Sequence, residues 1–353
     1  MPTAPQGAGR APVLRDLAIG AALLGLLFAL LPLAPVQAGF RQVALGLAVL
    51  SEALLAGLGQ GIERSGAVLR ALPQGHAVEV TAACDGHGLM IAWAALLALL
   101  RPPPARLLLA LALGVVAIQG FNVLRVMALF AATPAGSVRF DMLHYGVFPL
   151  LSGALLAAMG AAVARPVGGL RGLATALAVA TVLGAVWLAG ADALAVALLA
   201  PVADALLRAL AMPEVTGLTH SPEGWAVTTR LIASTDPLAY HRFPIHPEDY
   251  ALSLPLLLAA GAVGLAGRLR ALLAGAVALA IPAALLLGSL TTVWMAARGL
   301  GAPLIALPVG GGQVTAVPYT PPGVLVDLAA VAQNVIVHAL LLVLPARLLL
   351  RPA

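Results

Sequence analysis

Three reactive side chains stand out from an otherwise apolar chain. The single cysteine lies in Ala83-Cys84-Asp85-Gly86-His87-Gly88-Leu89, at the threshold of an apolar run that begins near Leu89. Its neighbours are polar or flexible rather than core-like, which favours a working thiol over a small buried hydrophobe. A thiol reacts as thiolate, and it needs partial exposure and a cationic neighbourhood to become one. Arg125 lies in Gln119-Gly120-Phe121-Asn122-Val123-Leu124-Arg125-Val126-Met127, where an arginine inside a membrane span costs roughly 2.5 kcal/mol or more. Asn122, three residues earlier, shares its helical face and Gln119 extends the stripe inward, so a site is favoured over a snorkelling charge. His144, in Phe140-Asp141-Met142-Leu143-His144-Tyr145-Gly146, supplies an imidazole, the usual partner of a catalytic thiol. His87 is a rival base because it is nearest Cys84 in sequence, and Asp85 either orients a histidine or caps the helix that follows. The chemistry these groups support is nucleophilic attack on a carbonyl with proton transfer.

Elements that could bring them to one depth are membrane helices. The chain is 61% hydrophobic and 9% charged, against roughly 25% charged in soluble domains. Spans need about 20 apolar residues, and they are expected near 14–34, 87–100, 106–131, 143–163, 171–192, 251–267, 270–296 and 324–346. The sequence therefore predicts an all-α integral membrane protein with about eight transmembrane helices. Cys84, Arg125 and His144 then fall at one membrane face by threading alone. Arginine pairs punctuate the turns: Arg10 and Arg15, Arg101 and Arg106, Arg165 and Arg171, Arg268 and Arg270, Arg347 and Arg351. The positive-inside rule puts these on the cytoplasmic side. The acids, apart from Asp16, fall outside or near the outer boundary.

This parity requires 40–58 to lie at the outer interface as an amphipathic helix, continued by Gln60, Glu63 and Arg64. Short hairpin-like strands, 67–72 and 76–81, are expected around the turn signal Pro73-Gln74-Gly75. Residues 1–12 read as a cytoplasmic tail, 13–165 as a catalytic membrane domain, and 166–353 as a second membrane module. The outer loops of that module are 212–250, strand-like at 225–233, and 298–323.

Composition also excludes functions. One cysteine rules out an intramolecular disulfide framework and any multi-cysteine zinc site. His220, His241 and His246 match no zinc spacing, so neither metal nor cofactor is expected. Gly310-Gly311-Gly312 lacks the lysine and helix of a phosphate loop. The formal charge of +5 comes without basic patches interleaved with aromatics, which are 4% of the chain, so no nucleic-acid partner is expected.

Taken together, Ala83-Cys84-Asp85-Gly86, Asn122-Val123-Leu124-Arg125-Val126 and His144 with Gly146 resemble the exosortase/archaeosortase family of multipass membrane cysteine transpeptidases. The resemblance covers roughly residues 14–165. It implies Cys84 as nucleophile with Arg125 and His144 completing the catalytic set; Asn122, His87 and Asp85 are supporting candidates on the reading of the residues alone. It further implies membrane-anchored protein substrates carrying a C-terminal signal of short motif, membrane helix and basic tail, cut at the periplasmic face of a bacterial inner membrane. Asp85 stands where the family usually has a small polar residue, and His87 where an aliphatic one is usual. Two other readings compete. A transporter or export component would line its path with Asn122 and Arg125, and would survive loss of Cys84. A scaffolding subunit would instead depend on its outer loops.

Overall fold

Apolar runs broken by Pro, Gly and Arg set the element boundaries. The structure is a computed structural model that describes residues 10–31, 33–73, 75–81, 84–135, 139–140, 142–186, 189, 192–209, 215–221, 224–232, 242–245, 257–261, 304–310, 313–320 and 323–351. The chain is mostly helical and divides into two units. One comprises 1–188, 252–270 and 338–353, the other 189–251 and 271–337.

In the first unit, α1 (Arg10–Leu30) leads into α2 (Ala34–Gly57). Pro35 sits in the first turn of α2, where its missing N–H has no intrahelical partner to lose. Ala44, Leu47, Ala48, Ser51 and Leu55 of α2 are buried; their spacing is that of one helical stripe. That stripe covers an antiparallel sheet of β1 (Ile62–Ser65), β2 (Val68–Ala71) and β3 (Ala77–Glu79). Ser65 pairs with Val68 across a tight turn opened by Gly66 at φ +62, a backbone state open to glycine without penalty. Leu69 pairs with Val78, and both face the core with Val80.

The chain then forms α3 (His87–Leu100) and α4 (Pro104–Ala132). Arg101 closes α3 in the left-handed region at φ 50, and Pro104 opens α4. Trp93 Nε1 donates to the Ala110 carbonyl at 3.1 Å, tying α3 to α4. A π-helical turn, Met142–Val147, continues into α5 (Phe148–Val163). Arg165–Pro166 pairs antiparallel with Leu350–Arg351, so the helix Leu344–Leu349 packs in the same unit as α5.

Four helices among the described residues are long and apolar enough to cross a membrane: Ala34–Gly57, Pro104–Ala132, Met142–Val163 and Gly169–Val186. The apolar stretches Ala18–Leu30 and His87–Leu100 are shorter. On α4, Leu108, Leu109, Leu113, Val116 and Leu124 are exposed; such an outward apolar surface belongs in lipid. Two findings differ from the sequence reading. The helix expected at the interface begins at Ala34 and has the length and composition of a span. Glu63 and Arg64 lie on β1 rather than on a continuing helix, because the exposed and half-buried positions there alternate with the period of a strand. The stretches 262–296 and 233–241, expected as spans and as part of an outer loop, lie outside the described residues.

The second unit contains the helix Asp192–Ala209, interrupted by Pro201, and two small antiparallel sheets. One sheet joins Val215–Ser221, Gly224–Thr229 and Arg242–Ile245. The other joins Gln313–Pro318, Leu304–Gly310 and Leu231–Ile232. Asp204 Oδ1 accepts the Leu218 N–H at 2.8 Å and fastens helix to sheet.

Candidate active site

α4 carries the groups around which the site is assembled. Its Gln119 Nε2 donates to the Asp85 backbone carbonyl at 3.0 Å, and Asn122 Nδ2 lies 3.4 Å from Gln119 Oε1. Gly86 adopts φ +77 as the cap of α3. A side chain there would run into the Asn122 amide, with Ile118 Cγ2 only 3.2 Å away. Glycine is therefore required twice at this position, once by the backbone and once by the approach of α4.

Asp85 is wholly buried. Its Oδ1 accepts the His87 backbone N–H at 2.8 Å and faces His87 Nδ1 at 2.6 Å. The first contact satisfies an amide that the helix itself leaves without a partner, and the positive end of the helix dipole favours the carboxylate. The second fixes the ring, because a carboxylate only accepts: Nδ1 carries the hydrogen, and in the neutral ring Nε2 carries the lone pair. Phe40 of α2 packs on that ring, centroids 5.1 Å apart.

Arg125, one helical turn beyond Asn122, points its Nη2 at His144 Nδ1, 3.3 Å away. A guanidinium has no acceptor, so His144 Nδ1 is the acceptor in this contact and its hydrogen lies on Nε2. Phe148 lies under the same guanidinium, its centroid 6.0 Å from Cζ, a cation–π arrangement. Phe140 stacks on His144 at 5.5 Å and 15°. The π-helical turn that presents His144 is a local distortion of a kind that recurs at functional sites.

Residues 11–151 match the family model described as transmembrane exosortase (Exosortase_EpsH). This segment is similar to the exosortase family. No curated protein and no solved structure matches the chain.

The exosortase-like segment holds Cys84 in a tighter setting than its polar neighbours suggest. The residue is 6% exposed, where partial exposure was expected, because α2 and the sheet close over it: Ala44, Leu47, Val80, Val123 and Val126 share its cluster. Val123 and Val126 come from α4, and Phe140, which stacks on His144, packs against the same cluster. Among the described residues no hydrogen bond joins the thiol to either histidine. A cavity of about 350 Å³ adjoins the nucleophile turn, lined by Gln37, Phe40, Arg41, Ala44, Glu79 and Thr81 among others. The Thr81 carbonyl accepts the Cys84 N–H at 2.9 Å, and Ala44 belongs to both the cavity wall and the thiol's cluster.

The structure thus brings together Arg125 with His144, Asp85 with His87, and Asn122 with Gly86. One neighbour escaped the sequence reading. His338 packs with Nε2 against Gly88 and with its ring on Phe28, centroids 4.7 Å apart. As a single imidazole inside an apolar run remote in sequence, it gave no motif by which to be found. Among the described residues no group of three or more metal-ligating side chains is present.

Proposed function

We propose that the chain is a membrane cysteine peptidase of the transpeptidase type, acting on exported proteins that carry a C-terminal sorting signal of short motif, membrane helix and basic tail. One observation carries the reading. A single helix, α4, touches the Cys84 turn through Gln119 and Asn122, and touches His144 through Arg125.

Cys84 Sγ attacks the scissile carbonyl, and its proton passes to His144 Nδ1. Protonation at that nitrogen and acceptance from Arg125 exclude each other. Proton uptake therefore releases the guanidinium, which turns to the oxyanion of the tetrahedral intermediate. As the C–N bond breaks, the imidazolium returns its proton to the leaving amine and a thioester remains on Cys84. Water or an acceptor amine then resolves it. The cavity beside Ala44 and Thr81 is the route by which substrate reaches the thiol, and Ala44 and its neighbours must part to admit it.

The membrane serves the reaction by confining a tethered substrate to two dimensions and presenting its cleavage site at one depth. The arginine pairs support a cytoplasmic N-terminus and a periplasmic site in a bacterial inner membrane. α2 then lies along the outer interface although it is long enough to cross. A reporter enzyme inserted after Gly59 tests this orientation, because export-dependent activity is expected and cytoplasmic activity would reverse it. Residues 166–353 are proposed as an accessory module with outer loops 212–250 and 298–323.

The function is tested by following a membrane-tethered reporter bearing a candidate sorting signal. Wild type is expected to shorten it, and Cys84→Ala, Arg125→Ala and His144→Ala at equal membrane levels are expected not to. Shortening that persists in Cys84→Ala would remove the nucleophile assignment.

A further inference from the structure

We propose that His87, oriented by Asp85, is the acid–base group of the second half-reaction, in which the thioester on Cys84 is resolved. The proposal rests on the cysteine-peptidase reading of Cys84 and assigns a role to a residue outside its Cys84, Arg125 and His144 set.

The two imidazoles of the candidate site are held in opposite states. His144 accepts from a guanidinium at Nδ1. His87 is bonded at Nδ1 to a carboxylate and keeps its lone pair at Nε2. A carboxylate behind an imidazole fixes the tautomer and stabilises the imidazolium that forms on proton uptake. Asp85 gives more than a cap needs. One oxygen suffices to accept a helix N–H, and serine or asparagine supplies it without burying a charge. Here the carboxylate is wholly buried, and among the described residues Oδ2 has no hydrogen-bond partner. Gln119, through the Asp85 carbonyl, and Phe40, against the His87 ring, hold the pair in place.

Access fits the same role. The His87 side chain is about a quarter exposed. Phe40, its packing partner, lines the cavity that Val80 and Thr81 also line, and the Thr81 carbonyl accepts the Cys84 N–H. In the proposed step a water molecule or amine enters through that cavity. Its lone pair attacks the thioester carbonyl carbon while its proton passes to His87 Nε2. The C–S bond then breaks, and the Cys84 thiolate takes the proton back from the imidazolium. No oxidant, metal or further reactant is required.

The test uses the full-length protein in membranes with a sorting-signal reporter tagged at both ends of the cleavage site. Two species are followed: the released C-terminal fragment, and a covalent reporter–enzyme adduct that hydroxylamine cleaves. Wild type is expected to release fragment with little adduct. His87→Gln is expected to release fragment for a single turnover and then to accumulate the adduct, with resolution slowed on the order of 10²–10⁴-fold, the usual contribution of a positioned acid–base group. Added hydroxylamine, a nucleophile that needs no base, restores turnover in that variant. Asp85→Asn keeps an acceptor for the His87 N–H and is expected to accumulate the same adduct more slowly. A purely structural role for the pair would trap no thioester and give no hydroxylamine rescue. His87→Gln that releases no fragment at matched membrane levels, or that turns over at the wild-type rate, overturns the proposal. Fragment release by Cys84→Ala would instead overturn the cysteine reading on which it rests.

Discussion

Gly86→Ala probes the lock between the nucleophile turn and α4. At φ +77, a residue with a Cβ loses about 1–2 kcal/mol in the left-handed region. The new methyl also overlaps the Asn122 amide, with Asn122 Cγ at 3.0 Å and Ile118 Cγ2 at 3.2 Å. Asn122 must swing away, giving up its contact with Gln119, a loss of about 0.5–1.5 kcal/mol for a hydrogen bond. The two parts together come to roughly 1.5–3.5 kcal/mol. Thermal unfolding of the detergent-purified protein should fall by about 3–14 °C, using 2–4 °C per kcal/mol for domains of this size. Reporter processing should be lost, since displacement of the turn moves Cys84 off α4. A cycle with Asn122→Ala separates the parts: in that background the amide and its hydrogen bond are already gone, so Gly86→Ala should add only the backbone cost of about 1–2 kcal/mol. If Gly86→Ala unfolds within a degree of wild type and processes reporter normally, the described packing of this turn on α4 is wrong.

Other outcomes follow from the same geometry. Arg125→Ala and His144→Ala should each reduce processing by at least 10²-fold, and the double variant should be little worse than the weaker single, because the two side chains act as one unit. Gly114→Ala should cost about 1–3 kcal/mol and shift tryptophan fluorescence, because the added methyl meets the Trp93 indole, with Cδ1 at 2.6 Å. Arg64→Ala removes an ion pair with Glu52 at 2.7 Å in which both side chains are about a third exposed. It should change the unfolding free energy by less than about 1 kcal/mol and leave processing intact.

Much of the site was legible because its signals are local. Asn122 and Arg125 share a face through helical spacing, and the polar intrusions at the ends of successive apolar runs anticipated the approach of Arg125 to His144. The sequence leaves Asp85 either to orient a histidine, without saying which, or to cap a helix, and the geometry shows both contacts at once, on His87. What the sequence concealed depends on contacts between remote segments. Cys84 is buried by α2 and the sheet, so its polar neighbours in sequence misled about its exposure. β1 gives no strand signal of its own, since Glu63 and Arg64 read with the polar residues that follow the apolar helix, and only the pairing of Glu63 with Arg70 reveals the strand. Hydropathy likewise cannot decide whether α2 lies on a membrane or crosses it, since its buried stripe faces protein in either case.

The short ladder between Arg165–Pro166 and Leu350–Arg351 gives the first unit a schedule as well as a shape. The helices bearing the thiol, guanidinium and imidazole leave the ribosome early, but the strand that closes their unit is separated from them by the whole second unit. At about 5–20 residues per second, synthesis from Pro166 to Leu350 takes roughly 10–40 s. During that interval the α5 end of the unit has no partner strand, and the ladder forms only after the intervening residues have been inserted. A chain stalled within the second unit would present the nucleophile to the membrane on an unfinished scaffold.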